Sequence, residues 1–168
     1  MNEFKKEKFK QILHYVIYKC GNLSNVGRTV LYKLLYFSDF DYYELFEEKM
    51  TGESYYKLGH GPAPSHFDEV TKELEKEGKI EEISSDYYNY DQQKFISKND
   101  PDVSLLTGKE LLHIQNTIGK YCHMNASQIS GISHCDLPYR ATEINEEIDY
   151  ELVFYRDESF SVRAYPDD

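Results

Sequence analysis

The chain has no tryptophan, only three cysteines and five prolines in 168 residues, and fewer basic than acidic residues, 19 against 30. Each shortage excludes something. Cys20, Cys122 and Cys135 are odd in number and include no CxxC pair, which argues against a disulfide framework or a zinc knuckle and fits a reduced, cytoplasmic protein. No apolar run reaches membrane length and no leader pattern is present, so no membrane association is expected. A formal charge of -11 disfavours a nonspecific grip on phosphates and makes a basic protein an easier partner than nucleic acid. GxSxG elbows, HExxH helices, phosphate-cradling glycine loops and deaminase signatures are all missing, so no catalytic residue, cofactor or metal is assigned.

What the chain does have is tyrosine, 16 residues, and phenylalanine, 9, within a 40% hydrophobic composition sufficient for one core. They concentrate between Lys33 and Ser65. There Leu31, Leu34, Leu35, Ser38, Tyr42 and Leu45 form one helical stripe, and Tyr32, Tyr36, Phe40 and Tyr43 a second on roughly the opposite side. A helix of this kind needs cover on both sides. The rest of the domain is the expected cover, since aromatic stripes at helical spacing belong mostly to cores.

The remaining punctuation predicts an α+β, mainly helical, single domain of about five helices with a small antiparallel hairpin. A first helix is expected over about Glu3–Lys19, with Phe9, Ile12, Leu13, Val16, Ile17 and Cys20 inward. Its Lys5, Lys6, Lys8 and Lys10 read as a solvated face. Ser24 or Asn25 is expected to cap the aromatic helix, with a short strand at Ser54–Leu58. Gly59-His60-Gly61-Pro62-Ala63-Pro64 then reads as a stiff turn. Ser65 opens a third helix ending at Gly78, and Lys79–Ser84 with Tyr87–Ser97 forms the hairpin. Thr107 with Glu110 is a capping box for a helix through Tyr121, and Asn125 with Gln128 a second for a helix ending near His134. Ile148–Tyr155 reads as a strand. The domain is expected over 1–160, followed by a frayed tail over 161–168.

Lys33-Leu34-Leu35-Tyr36-Phe37, Met50-Thr51-Gly52 with Tyr55 and Tyr56, Gly61-Pro62, and Ser133-His134 with Pro138 together resemble the Panacea domain family, also called SocA-like. The likeness runs from about the first helix to Phe154. Tyr139 departs from it, standing where many relatives have tryptophan. The resemblance implies an antitoxin of the bacterial and phage toxin–antitoxin kind, which neutralises a cognate toxin, encoded by the adjacent gene, through direct binding. It also leaves open an adaptor that delivers a toxin to an ATP-dependent protease. A DNA-binding regulator is a further alternative, disfavoured by the charge.

The residues expected to touch a partner are Tyr32, Tyr36, Asp39, Phe40, Tyr43, His60, Pro62 and His134. Exposed tyrosines would supply rigid contact area, while Asp39, Asp41, Glu44, Glu47 and Glu48 would steer a basic surface. His60 and His66 are expected to tie the Gly-Pro corner through backbone carbonyls, and His134 to cap a helix end. If the Gly61-Pro62 and Ser133-His134 words meet in space, they create a polar seam beside the aromatic helix, the natural place for a partner or small ligand. Cys135 beside His134 gives no nucleophile and base, because adjacent residues at a helix end point apart.

Overall fold

The computed structural model describes residues 3–88 and 90–166, with the side chains of all but Tyr87 and Tyr90; Asp167 and Asp168 of the expected tail lie outside the described residues. In chain order come α1 (Lys6–Cys20), α2 (Arg28–Phe46), β1 (Tyr55–Leu58), β2 (Gly61–Pro64), α3 (Phe67–Lys76), β3 (Ile80–Tyr87), β4 (Tyr90–Ser97), α4 (Gly108–Tyr121), α5 (Ala126–Cys135), α6 (Leu137–Arg140) and a 3-10 helix (Tyr150–Tyr155). The fold is therefore α+β and mainly helical, with two antiparallel two-stranded sheets, β1–β2 and β3–β4. Among the described residues no helix is long and apolar enough to cross a membrane.

α2 is the axis on which the other elements pack. It touches α1, α4, α5, β2, β4 and the 3-10 helix, so both of its aromatic and aliphatic stripes are covered from within. Leu31, Leu34, Leu35, Tyr36, Phe37 and Phe40 are all buried, joined by the six apolar residues expected of α1. Its start differs from expectation: the N-cap is Gly27, because the Asn25 amide is engaged elsewhere, donating to the carbonyls of Cys122 at 2.8 Å and Met124 at 2.7 Å beyond α4. The basic face of α1 is likewise less solvated than expected. Lys6 pairs with Glu69 and Glu73, Lys8 with Glu110, and Lys10 with Glu73 and Glu77, so these charges clamp α1 to α3 and α4.

The Gly59–Pro64 segment is only partly the turn expected. Gly59 and His60 make a two-residue loop, and Gly61–Pro64 returns as a strand in the register Tyr55↔Pro64, Leu58↔Gly61. Two prolines are tolerated because Ser65 N–H donates to the Ser54 carbonyl at 3.0 Å. By the two-residue period Ala63 and Gly61 point the same way, leaving Pro62 and Pro64 where no donor is required.

The β3–β4 hairpin and both capping boxes form as expected. Ser65 does not cap α3; its hydroxyl donates to Glu53 at 2.9 Å, and His66 holds the N-cap position. The stretch Ile148–Tyr155 is not a strand. Only its start is extended, with Ile148 N–H on the Tyr55 carbonyl at 2.8 Å. The Asp149 carboxylate then accepts from Glu151 N–H at 2.9 Å and turns the chain into the 3-10 helix, which buries Tyr150 and Val153. The segment beyond does not fray within the described residues: Ser161, Val162 and Tyr165 all donate to the Glu44 carboxylate.

Candidate functional site

The two sequence words do meet. Gly61 sits at the head of β2 with φ +124°, a conformation that disfavours any side chain, and space forbids one as well. A Cβ there would stand 2.5 Å from Lys33 Cε, 2.8 Å from Lys33 Nζ and 3.0 Å from Ser133 Oγ. The glycine thus lets β2 lie directly on α2 and α5. Ser133 is fully buried and donates to the Ser130 carbonyl at 2.9 Å within its own helix. Around this point the surface rises in two pieces. One is the exposed loop of Leu58, Gly59 and His60; the other is the end of α5 with exposed His134 and Cys135.

Tyr139 joins these pieces. Its hydroxyl donates to the Leu58 carbonyl at 2.5 Å, the His134 ring stacks on it with centroids 4.9 Å apart and planes 3° apart, and the Lys57 ammonium lies 4.5 Å from its ring centre. Tyr139 therefore supplies an oxygen that pins the loop. His134, held flat against tyrosine, acts here as packing surface.

Beneath the corner, α2 carries a chain of buried polar groups. Tyr36, one turn after Lys33, donates to Asp136 at 2.7 Å. Asp136 in turn receives Arg156 through Nε and Nη2, both at 2.9 Å, and the same guanidinium reaches Asp41 at 2.8 Å and Glu44 at 3.0 Å. Burial pushes the Asp41 carboxyl up to about 6 despite the arginine. Burial also acts upward on Glu44, but donors from Ser161, Tyr165, Val162 and Arg156 outweigh it and hold that carboxyl below its usual range. A second cluster lies nearby: the Asp39 carboxylate accepts from Tyr55 at 2.6 Å and Thr51 Oγ1 at 2.8 Å, and burial pushes it up to about 7. Buried Glu53 accepts from His66 backbone N–H at 2.8 Å and contacts its ring Nδ1 at 2.6 Å. His66 thus ties the corner through a carboxylate, not through the carbonyls expected.

Several residues expected at a partner surface are inside. Tyr36 and Phe40 have no exposed surface, Phe40 being stacked between Tyr36 at 4.4 Å and Tyr150 at 4.2 Å, and Asp39 and Pro62 are buried with them. They brace the corner and offer nothing to a partner in this conformation. Asp41 and Glu44, expected to steer a basic surface, are buried on Arg156; of that run only Glu47 and Glu48 are exposed, and Glu47 pairs with Arg163 at 2.8 Å. Tyr32 and Tyr43 are half-buried, the first edge-on to Phe67 and the second donating to Glu151 at 2.9 Å. His60 and His134 remain exposed at the corner.

Lys33 was not among the expected site residues, although it stands inside the first motif. Its side chain is 1% exposed. Among the described residues no hydrogen bond or ion pair reaches its ammonium, which lies 5.9 Å from the centre of the Tyr32 ring. Burial pushes its pKa down to about 8. Its place between Tyr32 and Leu34, in a helix that needs cover on both sides, was the sequence signal. A separate groove of about 890 Å³ opens at the start of α2, lined by Gly27–Val30, Asn125–Ser127 and residues of the β3–β4 hairpin. Among the described residues no three acidic, histidine or cysteine side chains gather to hold a metal ion.

A model of the family described as "Antitoxin SocA-like, Panacea domain" matches residues 31–137. That span includes Lys33, Gly61, Ser133 and Asp136 and stops short of Arg156. No curated protein and no solved structure gives a significant match.

Proposed function

Because the chain belongs to the SocA-like Panacea antitoxin family, we propose that it neutralises a cognate toxin in the cytoplasm by direct protein–protein binding, without catalysing a reaction. The contact surface is the corner where the Leu58–His60 loop meets His134 and Tyr139. The observation that carries this reading is the convergence of words more than 70 residues apart, Gly61 against Ser133 and Leu58 against Tyr139, on one small, stiff, partly exposed projection.

The corner has the composition of a contact surface. Leu58 is 41% exposed, His60 and His134 are exposed beside it, and the Glu143–Glu147 segment, held to Lys57 by backbone hydrogen bonds, adds Ile144 and three acidic side chains. Apolar residues rimmed by acidic ones suit a basic toxin surface. Co-expression with the product of the adjacent gene tests the reading. Restored growth together with a complex that survives gel filtration supports it, whereas restored growth without any complex argues against sequestration. A partner whose level falls only in cells containing an ATP-dependent protease indicates delivery for degradation instead.

A further inference from the structure

We propose that the outer edge of β3 is a docking strand for an extended segment of a partner protein carrying lysine or arginine, which adds to the β3–β4 hairpin as a third strand. This contact surface is separate from the corner at Leu58, Gly59 and His60.

The phase of the ladder fixes what that edge presents. Lys98 N–H donates to the Lys79 carbonyl at 2.9 Å, so these two form a hydrogen-bonded pair, and the register from Ile80↔Ser97 to Tyr87↔Tyr90 alternates from there without a bulge. Glu82, Ser84 and Asp86, opposite Phe95, Gln93 and Asp91, fall at the non-hydrogen-bonded positions. Their N–H and C=O groups therefore turn away from β4. The far side of β4 agrees, since the Phe95 and Gln93 carbonyls point out of the hairpin to where side chains of Gly21 and Gly27 would begin. On β3 all three residues are exposed, and among the described residues nothing outside β4 hydrogen-bonds to their backbone.

The other strand edges are closed, each by its own device. β4 is covered at Gln93 and Phe95 by Gly27 and Gly21, whose missing side chains let the start of α2 and the end of α1 lie against it. β1 gives its outward groups to the segment 145–148, through Lys57 N–H on the Glu146 carbonyl at 3.0 Å and Ile148 N–H on the Tyr55 carbonyl at 2.8 Å. β2 is buried and has prolines, Pro62 and Pro64, at its outward positions. β3 has none of these. It is eight residues long, unbulged and free of proline, and an open edge of that length is a template for another chain. Ser84 also forms part of the wall of the groove of about 890 Å³ at the start of α2, so the space beside it is open.

Charge decides the occupant. Glu81, Glu82 and Asp86 are exposed on β3, and Asp86 stands directly opposite exposed Asp91, a like-charged pair that destabilises the hairpin. Arg28 reaches Glu82 at 3.6 Å but also holds Asp68, and among the described residues no cation pairs with Asp86 or Asp91. The lysines of the hairpin are engaged elsewhere: Lys94 is buried on the Leu23 and Val26 carbonyls, and Lys79 and Lys98 stand at its base. A second copy added through the same edge would set acid against acid. A strand with basic side chains four positions apart instead places one opposite Glu82 and one opposite Asp86, on the same face by the two-residue period.

The test follows amide NMR signals of the protein with a blocked peptide, acetyl-TKVTVKT-amide, at millimolar concentration. In the free protein the Glu82, Ser84 and Asp86 amides should exchange quickly with solvent while those of Ile83 and Ser85 are protected, and the peptide should shift and slow the first three. No shift there, or shifts confined to other surfaces, overturns the proposal. Ser84→Pro removes one outward N–H without removing a ladder bond, and should weaken binding about tenfold or more. The double variant E82K/D86K changes two exposed residues and should reverse the preference, losing the lysine peptide by about tenfold or more and binding acetyl-TEVTVET-amide in its place. Equal binding of both peptides by wild type, or an unchanged preference in E82K/D86K, overturns the charge assignment. A wild type that sediments as a dimer while S84P is a monomer makes the occupant a second copy and overturns the partner assignment.

Discussion

Two cations are buried against α2, and the protein treats them in opposite ways. Arg156 reaches the C-terminal half of the helix and has every nitrogen engaged by Asp136, Asp41 or Glu44, with Tyr36 completing the Asp136 shell. Lys33, in the N-terminal half, is as deeply buried, and among the described residues no acceptor reaches its ammonium. A guanidinium is planar and multidentate, so it locks Asp41 and Glu44 of α2 and the distant Asp136 in a fixed geometry. An ammonium is a point charge on a flexible stem and fixes no such plane. The difference lies within one helix: the guanidinium network ties Asp136 and the C-terminal segment to α2, and the Lys33 ammonium adds no such tie.

The comparison breaks first at Arg156. Replacing it with methionine leaves three buried carboxylates uncompensated, and urea denaturation should show a loss of about 3–5 kcal/mol; a change below about 1 kcal/mol would mean that the network is not structural. A further test concerns pH. Asp39 titrates at about 7 when folded, above its ordinary 3.8, so between those values the folded state binds more protons than the unfolded one. Stability from this group is therefore highest below its unfolded pKa and declines as pH rises toward 7 and beyond, by an amount on the order of 3 kcal/mol. Asp41, at about 6, acts in the same direction over a narrower window. Asp39→Asn should flatten the decline measured by chemical denaturation at pH 5 and pH 8.

Gly61→Ala is expected to cost about 2 kcal/mol, from the positive φ and the approach to Lys33. In the Lys33→Ala background the steric part should vanish and leave the conformational part, so a double-mutant cycle by thermal denaturation should give a non-zero coupling. The smallest effect is expected for Tyr139→Phe, about 1 kcal/mol from the lost bond to the Leu58 carbonyl. Hydrogen exchange should localise the change to the Gly59–Gly61 loop, which Tyr139 pins.

The sequence revealed the helices and their ends wherever the signal was local. The Thr107–Glu110 and Asn125–Gln128 boxes close within four residues, and the period of α1 lies in its own side chains. It failed where one residue had to serve a distant element. Asn25 looks like an N-cap for α2 and caps α4 instead. Ile148–Tyr155 failed for a local reason, its strand composition masking the Asp149 cap on Glu151 N–H that turns it into a 3-10 helix. At the site, the Gly-Pro and Ser-His words were legible as words. Of the eight residues expected to touch a partner, the structure buries Tyr36, Asp39, Phe40 and Pro62 and leaves His60 and His134 exposed, because a helix apolar on both sides does not reveal from sequence which aromatic ring faces in.

By itself, then, the chain determined its helical periodicity, its capping, its acid excess and the motifs of its family, all set by interactions between residues a few positions apart. Which charges would be buried, and that Arg156 would take three carboxylates, was decided only when β2, α5 and the C-terminal segment closed over α2. Pairing across 100 residues depends on the path of the whole backbone, and no local pattern encodes it.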